Sequence, residues 1–183
     1  MAALIDISFF FGNLSIAQKS DSAVSSSVLW FIEELEPKLL TDLLGYEFKK
    51  LYDAGITADT QKYKDIRDGK EYQNRSGILT KWRGLKFTDG SAKKSLIANY
   101  VYWHYLENEA TITTGTGEKI ADNQNAINAT AAQKMVRAWN EMVDWNKELI
   151  EFLLTKQTDY PEFINHYGRI PKSLLHKQNI LGI

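Results

Sequence analysis

The sequence predicts a mainly α fold: a helical bundle with a minor β or loop element and extended arms at both ends. Three observations carry this. Residues 91–154 read as two long helices joined by a polar connection. An earlier stretch, residues 28–44, repeats apolar residues at helical spacing. Between these, residues 68–88 lose that period and are punctuated by Gly69, Gly77 and Gly84.

The elements follow in order. Residues 1–20 mix apolar and small polar residues without a period, and Phe9, Phe10 and Phe11 before Gly12 read as an extended N-terminal arm. An arm this apolar must pack on its own domain or on a neighbouring subunit. The helical domain spans 21–168. Its first helix starts between Asp21 and Ser27, a region rich in N-cap residues. Val28, Leu29, Phe31, Ile32 and Leu35 form the stripe, and Pro37 is expected to end or kink the helix near Glu36. Leu39, Leu40, Leu43 and Leu44 continue an apolar face to Gly45. Tyr46, Phe48, Leu51 and Tyr52 give a short helix with Gly55 as C-cap, and Asp59 caps another over 60–67 with Tyr63 and Ile66 inward.

Residues 68–88 are expected as loops with a small hairpin, with Trp82 plugging the core edge. The next helix is capped by Asp89 or Ser91 and carries Leu96, Tyr100, Val101, Trp103 and Leu106. Residues 110–127 read as a loop, or a loop with one short strand. Thr130 and Gln133 match a capping box opening the last long helix, which holds Met135, Trp139, Met142, Leu149 and Leu153. Asp159 and Pro161 open a short helix through His166, stopped by Gly168. Residues 169–183 form a C-terminal tail flecked with Ile170, Leu174, Leu175, Ile180 and Leu181.

Composition excludes several function classes. A chain of 183 residues buries about 70% of its unfolded surface, so one core suffices without staples. It has no cysteine, which removes disulfides, thiolate nucleophiles and Cys-based metal sites. The first eleven residues lack a basic segment and contain Asp6, so they make a poor signal peptide, and no apolar run approaches a membrane span. The net charge of −1 is unevenly spread: −4 over 1–44, +5 over 45–100 and −2 over 101–183. Lys81, Arg83, Lys86, Lys93 and Lys94 concentrate the basic part, which is too weak for a dedicated nucleic-acid binder.

Catalytic chemistry is sparse. Thr113, Thr114, Gly115, Thr116 and Gly117 glance at a phosphate loop, but one residue separates the glycines and Glu118 precedes Lys119. His104 and Glu107 share a helix face at the spacing of half a carboxylate-bridged metal site, without the matching half elsewhere. No Gly-x-Ser-x-Gly elbow appears, and Glu33 and Glu34 read as a solvated helix face. The expectation is a non-enzyme with no catalytic residue, no cofactor and no metal.

Five motifs stand in a particular order: Leu43–Tyr46 at a helix end, Lys81–Leu85 (KWRGL), Ala98–Trp103, the Thr113–Gly117 connection, and Lys134 with Ala138–Asn140. Together they resemble the helical head–tail connector (adaptor) proteins of tailed bacteriophages, as in phages and prophages of Bacteroides-like hosts. The likeness covers residues 28–155 and leaves out both ends. It implies a bundle of connector type, located in the virion at the head–tail junction and in the host cytoplasm during assembly. It implies a homo-oligomeric ring, often of twelve copies, beneath the portal, docking the next tail component and extending the DNA channel. Phe9, Phe10, Phe11, Thr113, Thr114, Gly115, Thr116, Gly117, Ile180 and Leu181 are then interface candidates. Lys81, Arg83, Lys86, Lys93 and Lys94 are candidates for transient, non-specific contact with DNA in the channel. No membrane partner is expected. Two other readings stay open: a small helical regulatory or protein-interaction module, and an enzyme built on the His104/Glu107 face.

Overall fold

The computed structural model describes residues 3–89, 92–109, 111–114, 117–120 and 126–179. The fold is mainly α, as expected, with small two-stranded sheets beside the helices. Helix α1 (Ser22–Leu44) opens on Asp21, whose carboxylate accepts from the Ala23 and Val24 amides at 2.8 and 3.4 Å. It buries Val28, Ile32, Leu39, Leu40, Leu43 and Leu44. Pro37 does not end it, contrary to expectation. Pro37 and Glu33 both lie on the exposed face, where water can serve the carbonyl that proline leaves unbonded.

Helix α2 (Tyr46–Thr57) runs past Gly55, which is not a C-cap. A β-carbon there would stand 1.8 Å from the Tyr63 ring, so Gly55 serves close packing on α3 (Gln61–Asp68). Thr60 rather than Asp59 takes the N-cap position of α3. Asp59 sits at a φ of 57° and pairs with Lys64 at 2.6 Å. Tyr63 and Ile66 are buried, as the sequence predicts.

Two antiparallel hairpins follow where loops with one hairpin were expected. β1 (Lys70–Gln73) pairs with β2 (Leu79–Trp82), and β3 (Lys86–Asp89) with β4 (Ala92–Ser95). Because β4 occupies 92–95, helix α4 (Leu96–Glu109) starts later than Asp89 or Ser91 would set it. Its effective cap is Ser95, whose hydroxyl accepts from the Ile97 amide at 3.0 Å and donates to the Leu85 carbonyl at 2.7 Å. A third hairpin, β5 (Thr111–Thr114) with β6 (Gly117–Ile120), replaces the expected loop. Helix α5 (Ala126–Thr155) begins four residues before Thr130, which therefore lies inside it instead of capping it. Helix α6 (Pro161–Tyr167) has Pro161 in its first turn and Gly168 beyond its end, as predicted.

Helix α4 packs most extensively on α5 and next on α1. Leu96, Ile97, Ala98, Tyr100, Val101, Tyr102 and Tyr105 are all buried, so α4 is covered nearly all round.

The N-terminal arm packs on its own domain, one of the two outcomes expected, and the described residues of both arms form short 3-10 turns where an extended course was expected. Ile5, Phe9, Phe10 and Ile16 join the same hydrophobic cluster as the helices, as do Ile170 and Leu174. The Leu4 amide donates to Glu36 at 2.7 Å, and Lys19 donates to the Phe10 carbonyl at 2.9 Å. The tail lies along α5: Trp139 Nε1 donates to the His176 carbonyl at 3.1 Å, and Asn146 to the Leu174 carbonyl at 2.9 Å. Asn140 bonds both ways with the Gln178 backbone, at 2.9 and 2.7 Å. These segments fold back because they cover apolar helix surface that the bundle alone would leave wet. Among the described residues no helix is long and apolar enough to cross a membrane.

Candidate functional site

The KWRGL motif is the structural knot of the molecule. Trp82 is fully buried, stacks on Phe152 at 6.2 Å between ring centroids, and donates its Nε1–H to the Ile66 carbonyl at 2.9 Å. The Leu85 amide uses the same carbonyl at 3.1 Å. Gly84, at a φ of 94°, passes so close to Asp68 that a β-carbon would meet its carbonyl carbon at 2.6 Å. Arg83 reaches across to α5, where Nε and Nη2 bind the two Glu148 oxygens at 2.9 and 2.8 Å and Nη1 binds Glu141 at 3.1 Å. Its guanidinium lies 4.0 Å above the Trp145 ring.

This geometry revises the candidate DNA contacts. Arg83 is committed to two carboxylates and an indole, so it acts as a clamp and not as a free cation. Lys93 bonds Ser8 Oγ at 2.7 Å and lies 3.8 Å from Asp6, holding the N-terminal arm. Asp6 is held below the usual carboxylate range, first by the Ser8 hydroxyl. Burial opposes this, while the Ser8 amide and the charges of Lys93 and Lys86 favour it. Register places Lys94 opposite Phe87 on one face of the β3–β4 hairpin, and Lys93 opposite Thr88 on the other. Lys81 lies over the Phe87 ring at 5.8 Å. The five basic residues therefore do not form one patch, and only Lys81 and Lys94 among them have exposed side chains.

A cleft of about 410 Å³ does gather basic groups: Lys93 and Lys94 from β4, with Lys134 and Arg137 from α5. Glu141 also faces it but is engaged by Arg83. Sequence reasoning missed Arg137 as a candidate. Its three-residue spacing from Lys134 on a helix, one turn apart, was the available signal.

The interface candidates divide. Phe9 and Phe10 are 4% and 0% exposed, inside the chain's own core, so neither is offered to a neighbour in this conformation. Phe11 is half-buried and lines the basic cleft. Thr113, Thr114 and Gly117 belong to the β5–β6 hairpin, where Thr114 pairs with Gly117. Gly115, Thr116, Ile180 and Leu181 lie outside the described residues.

His104 approaches Glu107 at 3.3 Å through Nδ1 and sits between the rings of Tyr100 and Trp103, at 4.5 and 4.8 Å. Burial pushes its pKa down, and Glu107 only partly offsets this. His166 instead bonds the Asp42 carbonyl at 2.9 Å. Among the described residues no group of three or more His, Asp or Glu side chains is placed to hold a metal.

Two exposed apolar features were not singled out in the sequence. The tip of the β1–β2 hairpin carries Ile78, in the turn, and Leu79, the first residue of β2, 62% and 68% exposed. The outer face of α1 carries Trp30, 57% exposed, above a groove of about 440 Å³ between α1 and α4. Both escape periodicity, because a helical or alternating pattern reports which side is buried and not which exposed apolar residues cluster.

Residues 40–169 match a family described as a family of unknown function (DUF6712). No curated protein and no solved structure matches the chain.

Proposed function

The chain belongs to the DUF6712 family, and we propose that it is a structural virion protein: a head–tail connector, or adaptor, of a tailed bacteriophage. It forms a ring under the portal, extends the DNA channel and docks the next tail component. Its working place is the head–tail junction, reached from the host cytoplasm during assembly.

The observation that carries the reading is the role of the KWRGL motif. The residues that supply the resemblance also build a rigid seat on α5 for a hairpin with an apolar, solvent-facing tip. A subunit framed by packed helices and presenting stiff projections suits assembly beside copies of itself. The basic cleft suits a lumen wall that DNA slides past, because a few cations give weak, salt-sensitive contact.

Electron microscopy and native mass spectrometry of particles from the source phage test the proposal. The expected result is the protein in a ring at the portal, with purified protein binding purified portal. A strictly monomeric protein, absent from particles and without affinity for portal, overturns it.

A further inference from the structure

We propose that the β1–β2 hairpin tip of one copy inserts into the α1–α4 groove of the next, making the head-to-tail contact of the ring. The inference rests on the connector reading for its biological setting, but its physical grounds are separate.

The tip is pre-formed. Asn74 Oδ1 accepts from the Ser76 and Ile78 amides, each at 3.0 Å. The Asn74 amide donates to the Ile78 carbonyl at 2.9 Å, and Gly77 donates to the Asn74 carbonyl at 2.9 Å. At the base, Tyr72 packs on Phe152 at 5.2 Å, and Trp82 is sealed in the core. Ile78 and Leu79 are thus held in water on a stiff turn, so little conformational entropy remains to be lost on binding. Arg75 stands exposed on the same turn.

The groove is the complement. Trp30, Phe31 and Leu35 give it an apolar lining, and the carboxylates of Glu34 and Glu107 outweigh the charge of Lys38. At about 440 Å³ it has room for two aliphatic side chains. The tip thus offers one cation, Arg75, beside two aliphatic side chains, and the groove offers one net carboxylate charge beside aromatic rings. Charge complementarity of this kind sets register and suppresses wrong pairings.

The two surfaces lie on different faces of one subunit. The hairpin rests on α5, whereas the groove lies between α1 and α4. Their contact joins unlike surfaces, and unlike surfaces propagate into a closed ring or an open helix instead of stopping at a two-fold dimer.

The chain has no cysteine, so engineered thiols report cleanly. Ile78→Cys and Glu34→Cys, combined in one chain and oxidised at high protein concentration, are expected to give a ladder of covalent oligomers. Mixing the two single variants should give a heterodimer. Ile78→Cys with Leu51→Cys, an exposed apolar position on α2, should give neither. Ile78→Asp/Leu79→Asp, at exposed positions that leave the core untouched, should weaken self-association by about tenfold or more. Absence of the Ile78–Glu34 cross-link overturns the contact, as does wild-type-like self-association of the double Asp variant with an unchanged circular dichroism spectrum. Rings on particles without that cross-link would sink this contact and spare the connector reading. A ladder from a protein absent from particles would do the reverse.

Discussion

The indole N–H of Trp145 donates to the Gly84 carbonyl at 2.9 Å, joining the middle of α5 to the turn that follows β2. Beside that bond Arg83 stands over the same indole while its fork reaches Glu148. Strand, turn and helix are fixed relative to each other by two adjacent residues of the KWRGL segment.

Replacing Gly84 should be the most damaging change in the hairpin. Gly84→Ala forces a β-carbon against the Asp68 carbonyl carbon from a φ of 94°. The expected cost is about 2–4 kcal/mol in urea denaturation. Trp145→Phe keeps most of the packing but orphans the Gly84 carbonyl, for about 1–3 kcal/mol. Arg83→Ala should cost less, about 1 kcal/mol, because the guanidinium and its carboxylates stay partly wet.

Trp139 ties the C-terminal tail to the bundle. It is 6% exposed, lies 4.9 Å from Trp103 and donates to the His176 carbonyl. Trp139→Ala should cost about 3–5 kcal/mol. Trp139→Phe removes only the donor, so the tail should exchange its amides faster and be cut sooner by protease while the helices stay protected. Equal protection of tail and helices in the Phe variant would refute the anchoring role.

Glu36 makes stability pH-dependent. It is 6% exposed, and burial raises its pKa first. Hydrogen bonds from Leu4 and Ile5, and the charges of Lys49 and Lys86, pull only partly the other way. One oxygen accepts from Leu4 and the other has no partner among the described residues. A folded pKa above the unfolded value means that this group's stabilising contribution is complete below about pH 4.5 and is lost as pH rises through the folded pKa. Glu36→Gln keeps the acceptor and removes the charge. Its melting temperature should exceed wild type at pH 8 and converge with it toward pH 4. A gap that does not change with pH would count against burial as the cause.

DNA binding should run through the cleft and not through Arg83. Charge reversal of Lys94, Lys134 and Arg137 should weaken duplex binding and lower the salt slope by about 0.9 for each phosphate no longer neutralised. Arg83→Ala should leave that slope unchanged, as read by fluorescence anisotropy across a salt series.

The helices were legible because a buried stripe must repeat every three to four residues and because Asp21 and Pro161 mark starts, of a long and a short helix, that need no tertiary partner. Pro37 misled because whether a proline breaks a helix depends on which side of it faces water. Ser95 was invisible as a cap because it ends β4, a strand that exists only through pairing with β3. Which surface the arms would cover was not legible, for a related reason. An irregular apolar segment has no period to show its direction, and the helix surface waiting for Phe9 and Phe10 is assembled from residues far away in sequence. The basic residues were found in sequence, but their partners were not: Arg83 meets Glu148 across 65 positions.

Helix α4 is buried along most of its length and meets water chiefly at its end, at Glu107, Asn108 and Glu109. A substitution along that buried length disturbs packing on α5 and on α1 at once, which leaves only the exposed end of α4 open to new contacts. Novelty is more easily written at the margins: on the β1–β2 turn and on the outer surface of α1, where a new side chain meets solvent or a partner before it meets the core. The same central helix that fixes the architecture thereby concentrates the freedom to diversify in a few projecting positions.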